Sequence, residues 1–124
     1  MNEIFKRQHN NGIVGLPPTG SLLLKSAEME WGDCDAEGFA IKPLMEDGPM
    51  GLRCWLMKVE PGAFSALHAH EEIEQIYVLE GSFYDQDNTY KSGDYVVRAA
   101  GAMHSAGSKD GALVMLFYSP APTP

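Results

Sequence analysis

The sequence predicts an all-β domain built as an antiparallel sandwich or barrel. Its apolar runs are short, rich in β-branched and aromatic residues, and separated at close spacing by turn residues. No window carries a convincing helical period, although residues 26–31 can form one turn. Many short strands without helices are typical of β-sandwiches and β-barrels.

The predicted strands follow the alternation of side chains along the chain. After brief strands at residues 22–24 and 39–41, a longer strand covers residues 52–59, with Trp55, Met57 and Val59 on one face. The remaining strands are expected between Gly, Pro and Asn turns, at residues 64–70, 75–80 with a continuation over 82–85, 95–98, 103–106 and 113–118.

The length of 124 residues fits a single domain with its own core. We expect an irregular N-terminal arm at residues 1–20, the barrel at residues 21–119 and a proline-rich tail at residues 120–124. The arm is predicted to be irregular because it ends in a Gly- and Pro-rich segment at residues 15–20.

The net charge of −8 excludes two classes of partner. An acidic surface repels nucleic acid and anionic membranes, so neither is expected as a partner. No stretch approaches the roughly 20 apolar residues of a membrane span, and the start of the chain lacks the apolar segment of a signal peptide. We therefore expect a cytoplasmic location, with Cys34 and Cys54 reduced.

Three of the four histidines and one glutamate form the candidate functional site. His68 and His70 are two residues apart, so they share one face of a strand. Glu74 keeps the same parity across a short bend, and His104 comes from a separate hairpin. Imidazole and carboxylate groups are ligands of first-row transition metals, so the sequence predicts one divalent metal ion inside the barrel.

Two details of this site depend on the register of the strands. A one-residue bulge would present Glu71 or Glu72 in place of Glu74, although a solvated loop is the preferred interpretation of both. Strand parity also predicts the walls of a substrate pocket beside the metal. The predicted wall residues are Phe64, Ile76, Val78, Met103 and Met115.

The spacing of these residues resembles the two motifs of the cupin superfamily. The first motif is matched at every defined position, as Gly62-x5-His68-x-His70-x3-Glu74-x6-Gly81. The second is matched as Gly93-x5-Ala99-x-Gly101-x2-His104-x3-Ser108, with Ala99 and Ser108 at positions where the family usually has Pro and Asn. The resemblance implies a double-stranded β-helix, also called a jelly-roll barrel, with one metal ion inside.

One branch of the superfamily is especially similar. Residues 74–81, followed by 84–90 and 93–96, resemble the cupin domains of ChrR-like anti-sigma factors and of acetylacetone dioxygenases. The first group binds zinc and represses a sigma factor through a separate N-terminal domain, for which we expect no room in this chain. The second group uses iron held by three histidines, to which this chain adds Glu74.

The coordination number of the metal separates the possible functions. Tetrahedral zinc bound by all four side chains would be closed to substrate, as in a structural or sensing site. Octahedral iron, manganese or nickel would keep two positions for substrate and dioxygen. With one carboxylate, the site keeps a net charge of about +1 and favours anionic oxygen donors.

The leading functional hypothesis is therefore a metal-dependent oxygenase that acts on a small diketone, phenol or enol. One alternative is a non-catalytic module that senses zinc or a ligand and acts through a protein partner. Another is an isomerase or lyase that uses the metal only as a Lewis acid. The resemblance also implies a homodimer, because many cupins of this size are dimers. Exchange of a strand within residues 1–24 is one way to cover a sheet edge in such a dimer.

Overall fold

The computed structural model describes residues 12–123, which form ten strands and a single 3₁₀ turn at Ser26–Glu28. The predicted all-β fold is confirmed. The strands are β1 (Ile13–Val14), β2 (Gly32–Asp33), β3 (Phe39–Asp47), β4 (Leu52–Val59), β5 (Phe64–His68), β6 (Ile73–Tyr84), β7 (Thr89–Lys91), β8 (Tyr95–Arg98), β9 (His104–Gly107) and β10 (Ala112–Ser119).

The strands join into a sheet that rolls over on itself. Its order is β1-β3-β4-β10-β6-β9-β5, with β2 beside β3 and with β7 and β8 beside β6. Among the described strands, every pair is antiparallel except β1 with β3. The first part of β6 pairs with β8 and β10, and its last residues pair with β7 and β9, so this long strand belongs to both layers.

The core lies between the layers and ends at a polar site. Successive inner-face pairs of β6 and β10 run from Val78 and Val114, through Ile76 and Leu116, to Glu74 and Tyr118. All of these side chains are buried. Along β10, buried and partly exposed residues alternate over the whole strand, so one face of the strand points inward. The inner face therefore changes from apolar to polar at Glu74.

Gly81 marks the change of neighbours along β6. Its φ of +77° lies in the left-handed region, and a Cβ there would stand 2.0 Å from the carbonyl oxygen of Gly111. The register of β10 against β6 shifts close by, between Leu113 and Val114. A side chain at position 81 would therefore strain its own backbone and displace the neighbouring chain.

Gly81→Ala is expected to destabilise the protein by about 3 kcal/mol, measured by urea unfolding. Gly62→Ala is the matched control, because Gly62 has a similar φ of +86° and nothing within 4 Å of the added Cβ. That change should cost about 1 kcal/mol, from backbone strain alone. Equal losses for the two variants would contradict the close approach of Gly81 to Gly111.

Most of the predicted strands are present near their expected bounds. The strands β4 and β8 have the predicted limits, and the 3₁₀ turn falls within residues 26–31. Residues 22–24 were expected to form a strand but have no regular structure. The reason is the lack of a layer to pack against, since Leu22 and Leu23 are 55% and 82% exposed.

The structure also contains strands that the sequence patterns do not reveal. The strands β1, β2 and β7 have only two or three residues each, too few to display a period. The second half of β3 was missed because it contains Pro43, which lies at a register shift where a ladder hydrogen bond is not needed. Part of the predicted irregular arm is thus strand β1, and residues 1–11 of that arm lie outside the described residues.

Candidate metal centre

Two short strands and the bend after them bring the three histidines together. His68 ends β5 and His104 begins β9, and the two residues are direct partners across the antiparallel pair. His70 follows β5 by two residues, and Glu74 is the second residue of β6. Glu74 reaches the histidines from the start of β6, and its Oε1 lies 3.4 Å from Nε2 of His104.

The imidazole groups are close enough to bind one ion. One ring nitrogen from each of His68, His70 and His104 lies within 4.8 Å of the others. The ring centroids of His68 and His104 are 4.4 Å apart, and that of His70 is 5.1 Å from His68 and 5.4 Å from His104. His104 is buried, whereas His68 and His70 are partly exposed, so the cluster is open to solvent on one side.

Backbone carbonyl groups orient two of the rings. The Nδ1 atom of His68 lies 2.8 Å from the Ala66 carbonyl oxygen, and Nδ1 of His104 lies 3.3 Å from that of Ala102. An acceptor at this position keeps the proton on Nδ1 and leaves Nε2 as the metal ligand.

The surroundings keep two of the imidazoles neutral. Burial lowers the pKa of both His70 and His104, although the Glu74 carboxylate opposes this shift. A neutral imidazole has a free lone pair for a metal, whereas a protonated one does not. Burial thus favours the metal-binding form of His70 and His104.

Glu74 is held in place beside the histidines. Its Oε1 lies 3.4 Å from Nε2 of His104, and its Oε2 lies 3.9 Å from Nε2 of His70. The Arg98 Nε group donates to Oε1 at 3.2 Å, and the Tyr118 hydroxyl donates to Oε2 at 2.6 Å. Burial and the neighbouring carboxylate raise the pKa of Tyr118 well above its ordinary value, so this hydroxyl remains a donor.

A second buried carboxylate lies on the other side of Arg98. Asp85 Oδ2 accepts hydrogen bonds from Arg98 Nη1 at 2.9 Å and from the Tyr90 hydroxyl at 2.6 Å. Its Oδ1 accepts the backbone N–H groups of Asp87 and Asn88. Burial by itself raises the pKa of Asp85, but these hydrogen bonds prevail and lower it from 3.8 to about 2.

This shift predicts how acid affects stability. Because the folded-state pKa of Asp85 is depressed, its contribution is complete above the ordinary value of 3.8 and is lost as the pH falls through about 2. The stability difference between wild type and Asp85→Asn, from urea unfolding at several pH values, should therefore shrink over this range. Asp110→Asn, at an exposed position, is the control and should change the stability by less than about 0.5 kcal/mol. A constant difference for Asp85→Asn down to pH 2 would contradict the prediction.

The alternative carboxylates point elsewhere. Glu72 forms two hydrogen bonds with Arg53, at 2.6 and 3.0 Å, and Glu71 is exposed. Glu74 is thus the glutamate that contacts the histidines. Arg98 and Tyr118 were not predicted from the sequence. Both stand at alternating positions that face the barrel interior on their strands, and this alternation could have identified them.

The predicted pocket walls lie in three different environments. Ile76 and Val78 belong to the buried core, and Phe64 and Met103 are more than half exposed. Met115 lies on the outer face of β10, in register with Tyr77 and Leu56, so the parity that placed it beside the metal ligands was wrong. Both faces of β10 are apolar, and for this reason alternation alone does not identify the inner one.

The donor set fits a divalent transition metal. Three convergent imidazoles with a carboxylate beside them match the ligand types of iron, manganese, nickel and zinc. A rolled antiparallel β-barrel with such a cluster at one end of its core defines the class of protein as a cupin. The family model described as "ChrR Cupin-like domain" matches residues 19–122, so the chain belongs to this family.

Solved structures agree with this assignment. A Ralstonia eutropha protein with a cupin-like fold is 26% identical, with a TM-score of 0.62 over 67% of this chain and 56% of its own. A putative acetylacetone dioxygenase from Methylibium petroleiphilum has 15% identity and a TM-score of 0.75, over 83% of this chain and 79% of its own.

The complex of Rhodobacter sphaeroides SigE with the anti-sigma ChrR gives 18% identity and a TM-score of 0.65, over 77% of this chain and 52% of the matched one. The chain thus spans about half the length of the Ralstonia and Rhodobacter proteins. At these low identities the Methylibium and Rhodobacter structures establish the fold alone. The jelly-roll cupin fold and the similarity to ChrR-like and acetylacetone dioxygenase-like cupins are confirmed.

Curated proteins gave no match to the chain. Within residues 12–123, no helix has the length and apolar character needed to cross a membrane. Both cysteines are free thiols, as expected from the sequence.

Proposed function

We propose that this protein is a metal-dependent oxygenase that acts on a small diketone, phenol or enol. The observation that carries the proposal is the convergence of three imidazoles at a site with an open side. The side chain of His70 is 29% exposed, which leaves a route for a small molecule to the cluster. A purely structural zinc site is usually closed.

The residues of the site have separate roles in this proposal. His68, His70 and His104 hold the metal through ring nitrogens, and Glu74 completes the set with lone pairs that its hydrogen bonds leave free. Tyr118 and Arg98 fix the Glu74 carboxylate. A bound metal would polarise a substrate oxygen and, if it is iron, would carry electrons toward dioxygen.

Oxygen uptake tests this proposal. Protein loaded anaerobically with Fe(II) is mixed with a panel of diketones, phenols and enols in an oxygen electrode, with protein lacking metal as the control. Substrate-dependent uptake is the expected result. Native zinc together with no uptake for any chelating substrate would reject the oxygenase, and product formation without oxygen would indicate the isomerase or lyase.

The second candidate is a sensing module that acts through a protein partner. Its support is the match of residues 19–122 to the ChrR cupin-like family model. In this case the metal is zinc, and affinity purification from the native host recovers a sigma factor. Recovery that persists in a His104→Ala variant would separate partner binding from metal binding.

We also infer a homodimer, with the outer face of β6 and β8 at the contact. Tyr77, Tyr95 and Val97 are 45%, 55% and 59% exposed on this face, and Tyr77 and Tyr95 are direct register partners. An uncharged contact suits two copies of a chain that carries a net charge of −8. Light scattering should give the mass of a dimer for wild type and of a monomer for Tyr77→Glu. Met50→Glu, at an exposed site in the turn between β3 and β4, is the control and should remain a dimer.

A cytoplasmic location remains part of the proposal. The support is that Cys34 and Cys54 are both free thiols, as is usual in a reducing compartment. Fractionation of the native host would test it, and recovery in a secreted or membrane fraction would reject it.

A further inference from the structure

Arg98 has a buried nitrogen without a hydrogen-bond partner. Among the described residues, its Nη2 atom is the one fully buried side-chain nitrogen or oxygen that has no partner. The side chain as a whole is only 10% exposed. An unsatisfied buried donor on a charged group is costly, so such an atom points to an acceptor that the chain itself does not supply.

The neighbouring carboxylates are already used. Asp85 accepts from Tyr90, two backbone N–H groups and the Nη1 atom of Arg98. Glu74 accepts from Tyr118 and from the Nε atom of Arg98. The two carboxylates therefore bind the other two nitrogens of the guanidinium group and leave Nη2 free.

The unpaired nitrogen lies beside the metal centre. The Nε and Nη2 atoms belong to one planar fork, and Nε binds the Glu74 oxygen that is 3.4 Å from Nε2 of His104. The charges support an anionic ligand here. Glu74 and Asp85 outweigh Arg98 by one negative charge, and a divalent metal would change this to one positive charge.

We propose that Arg98 Nη2 binds a carboxylate oxygen of a small acid whose neighbouring oxygen donor faces the three histidines. The ligand class is a monocarboxylate with an oxo or enol oxygen close to the carboxylate. This inference rests on the proposed function, because it narrows the substrate of the same site. Arg98 acts on the substrate in addition to holding Glu74.

Two probe compounds that share a 1,3-dicarbonyl skeleton test whether Arg98 binds a carboxylate. Acetoacetate and acetylacetone are both 1,3-dicarbonyl compounds, but only acetoacetate has a carboxylate. Their affinities are measured by titration calorimetry with zinc-loaded wild type, Arg98→Lys and Arg53→Lys, using fresh acetoacetate solutions. Arg53→Lys is the matched control, because Arg53 binds Glu72 through Nε and Nη2 and has no hydrogen bond to Glu74 or Asp85.

Arg98→Lys is expected to weaken acetoacetate binding about tenfold or more and to change acetylacetone binding by less than about twofold. Arg53→Lys should leave both affinities near those of wild type. Equal acetoacetate affinity for wild type and Arg98→Lys, including no binding by either, would overturn the proposal. An equal loss for both probes would also overturn it, because it would indicate a general disturbance of the site.

Metal content of the same samples tests the proposed function separately. If the protein takes up no metal, that function fails, and acetoacetate binding to metal-free wild type and Arg98→Lys then decides the role of Arg98. Thermal unfolding shows whether Arg98→Lys is folded. If it is not, a crystal structure of wild type with acetoacetate decides: a carboxylate on Nη2 supports the inference, and water alone there overturns it.

Discussion

His104→Ala is expected to lower the metal affinity of the protein by more than about a hundredfold, since even indirect changes around a metal commonly cost 10 to 100-fold. His104 is the buried member of the cluster, its position is fixed by pairing with His68 across β5 and β9, and its Nε2 faces Glu74. Removing it leaves two partly exposed imidazoles. Competition with a chelator of known affinity measures the change, and mass spectrometry of dialysed protein measures the metal content.

The matched control is His9→Ala, at the histidine that lies outside both sequence motifs. This variant should retain one metal ion per chain, with an affinity near that of wild type. Thermal unfolding of the metal-free variants shows whether the alanine at position 104 has disturbed the barrel. Full metal content in a folded His104→Ala variant would rule out the proposed centre.

Glu74→Ala is expected to destabilise the metal-free protein by about 3 kcal/mol or more in urea unfolding. The change removes the acceptor of the Arg98 Nε group, while Asp85 still balances the charge of Arg98. A buried donor of a charged group that is left without an acceptor is costly. Arg98 and Glu74 are 10% and 5% exposed, so water cannot replace the lost partner. The hydroxyl of Tyr118 loses its acceptor in the same step.

Glu72→Ala is the control for this prediction. It also removes the carboxylate of an arginine pair, but Arg53 and Glu72 are 25% and 29% exposed, and such pairs contribute less than about 1 kcal/mol. Similar losses for the two variants would show that burial of the Glu74 pair has no energetic consequence. The metal affinity of a Glu74→Gln variant gives a separate result. A large loss of affinity would indicate that Glu74 binds the metal directly.

Several features follow from the sequence alone. Turn residues and alternation located β4 and β8 at their observed limits, because these signals depend on neighbours two or three residues apart. The i, i+2 spacing of His68 and His70, together with the cupin motifs, identified three histidines. The structure brings one ring nitrogen of each within 4.8 Å of the others. Local patterns were sufficient for β4 and β8 because each is a single strand between turns. His70 lies two residues beyond β5, so the motif spacing identified it and a shared strand face did not.

Other features were decided only by the tertiary structure. The pairing of β6 with β8 and β10 places Arg98 and Tyr118 on either side of Glu74, although they are far apart along the chain. The same pairing turns Met115 outward, which the two apolar faces of β10 did not reveal. The register between distant strands depends on how the whole sheet rolls. Residue types and short spacings therefore identified the three histidines, whereas the tertiary packing decided which charged groups surround them.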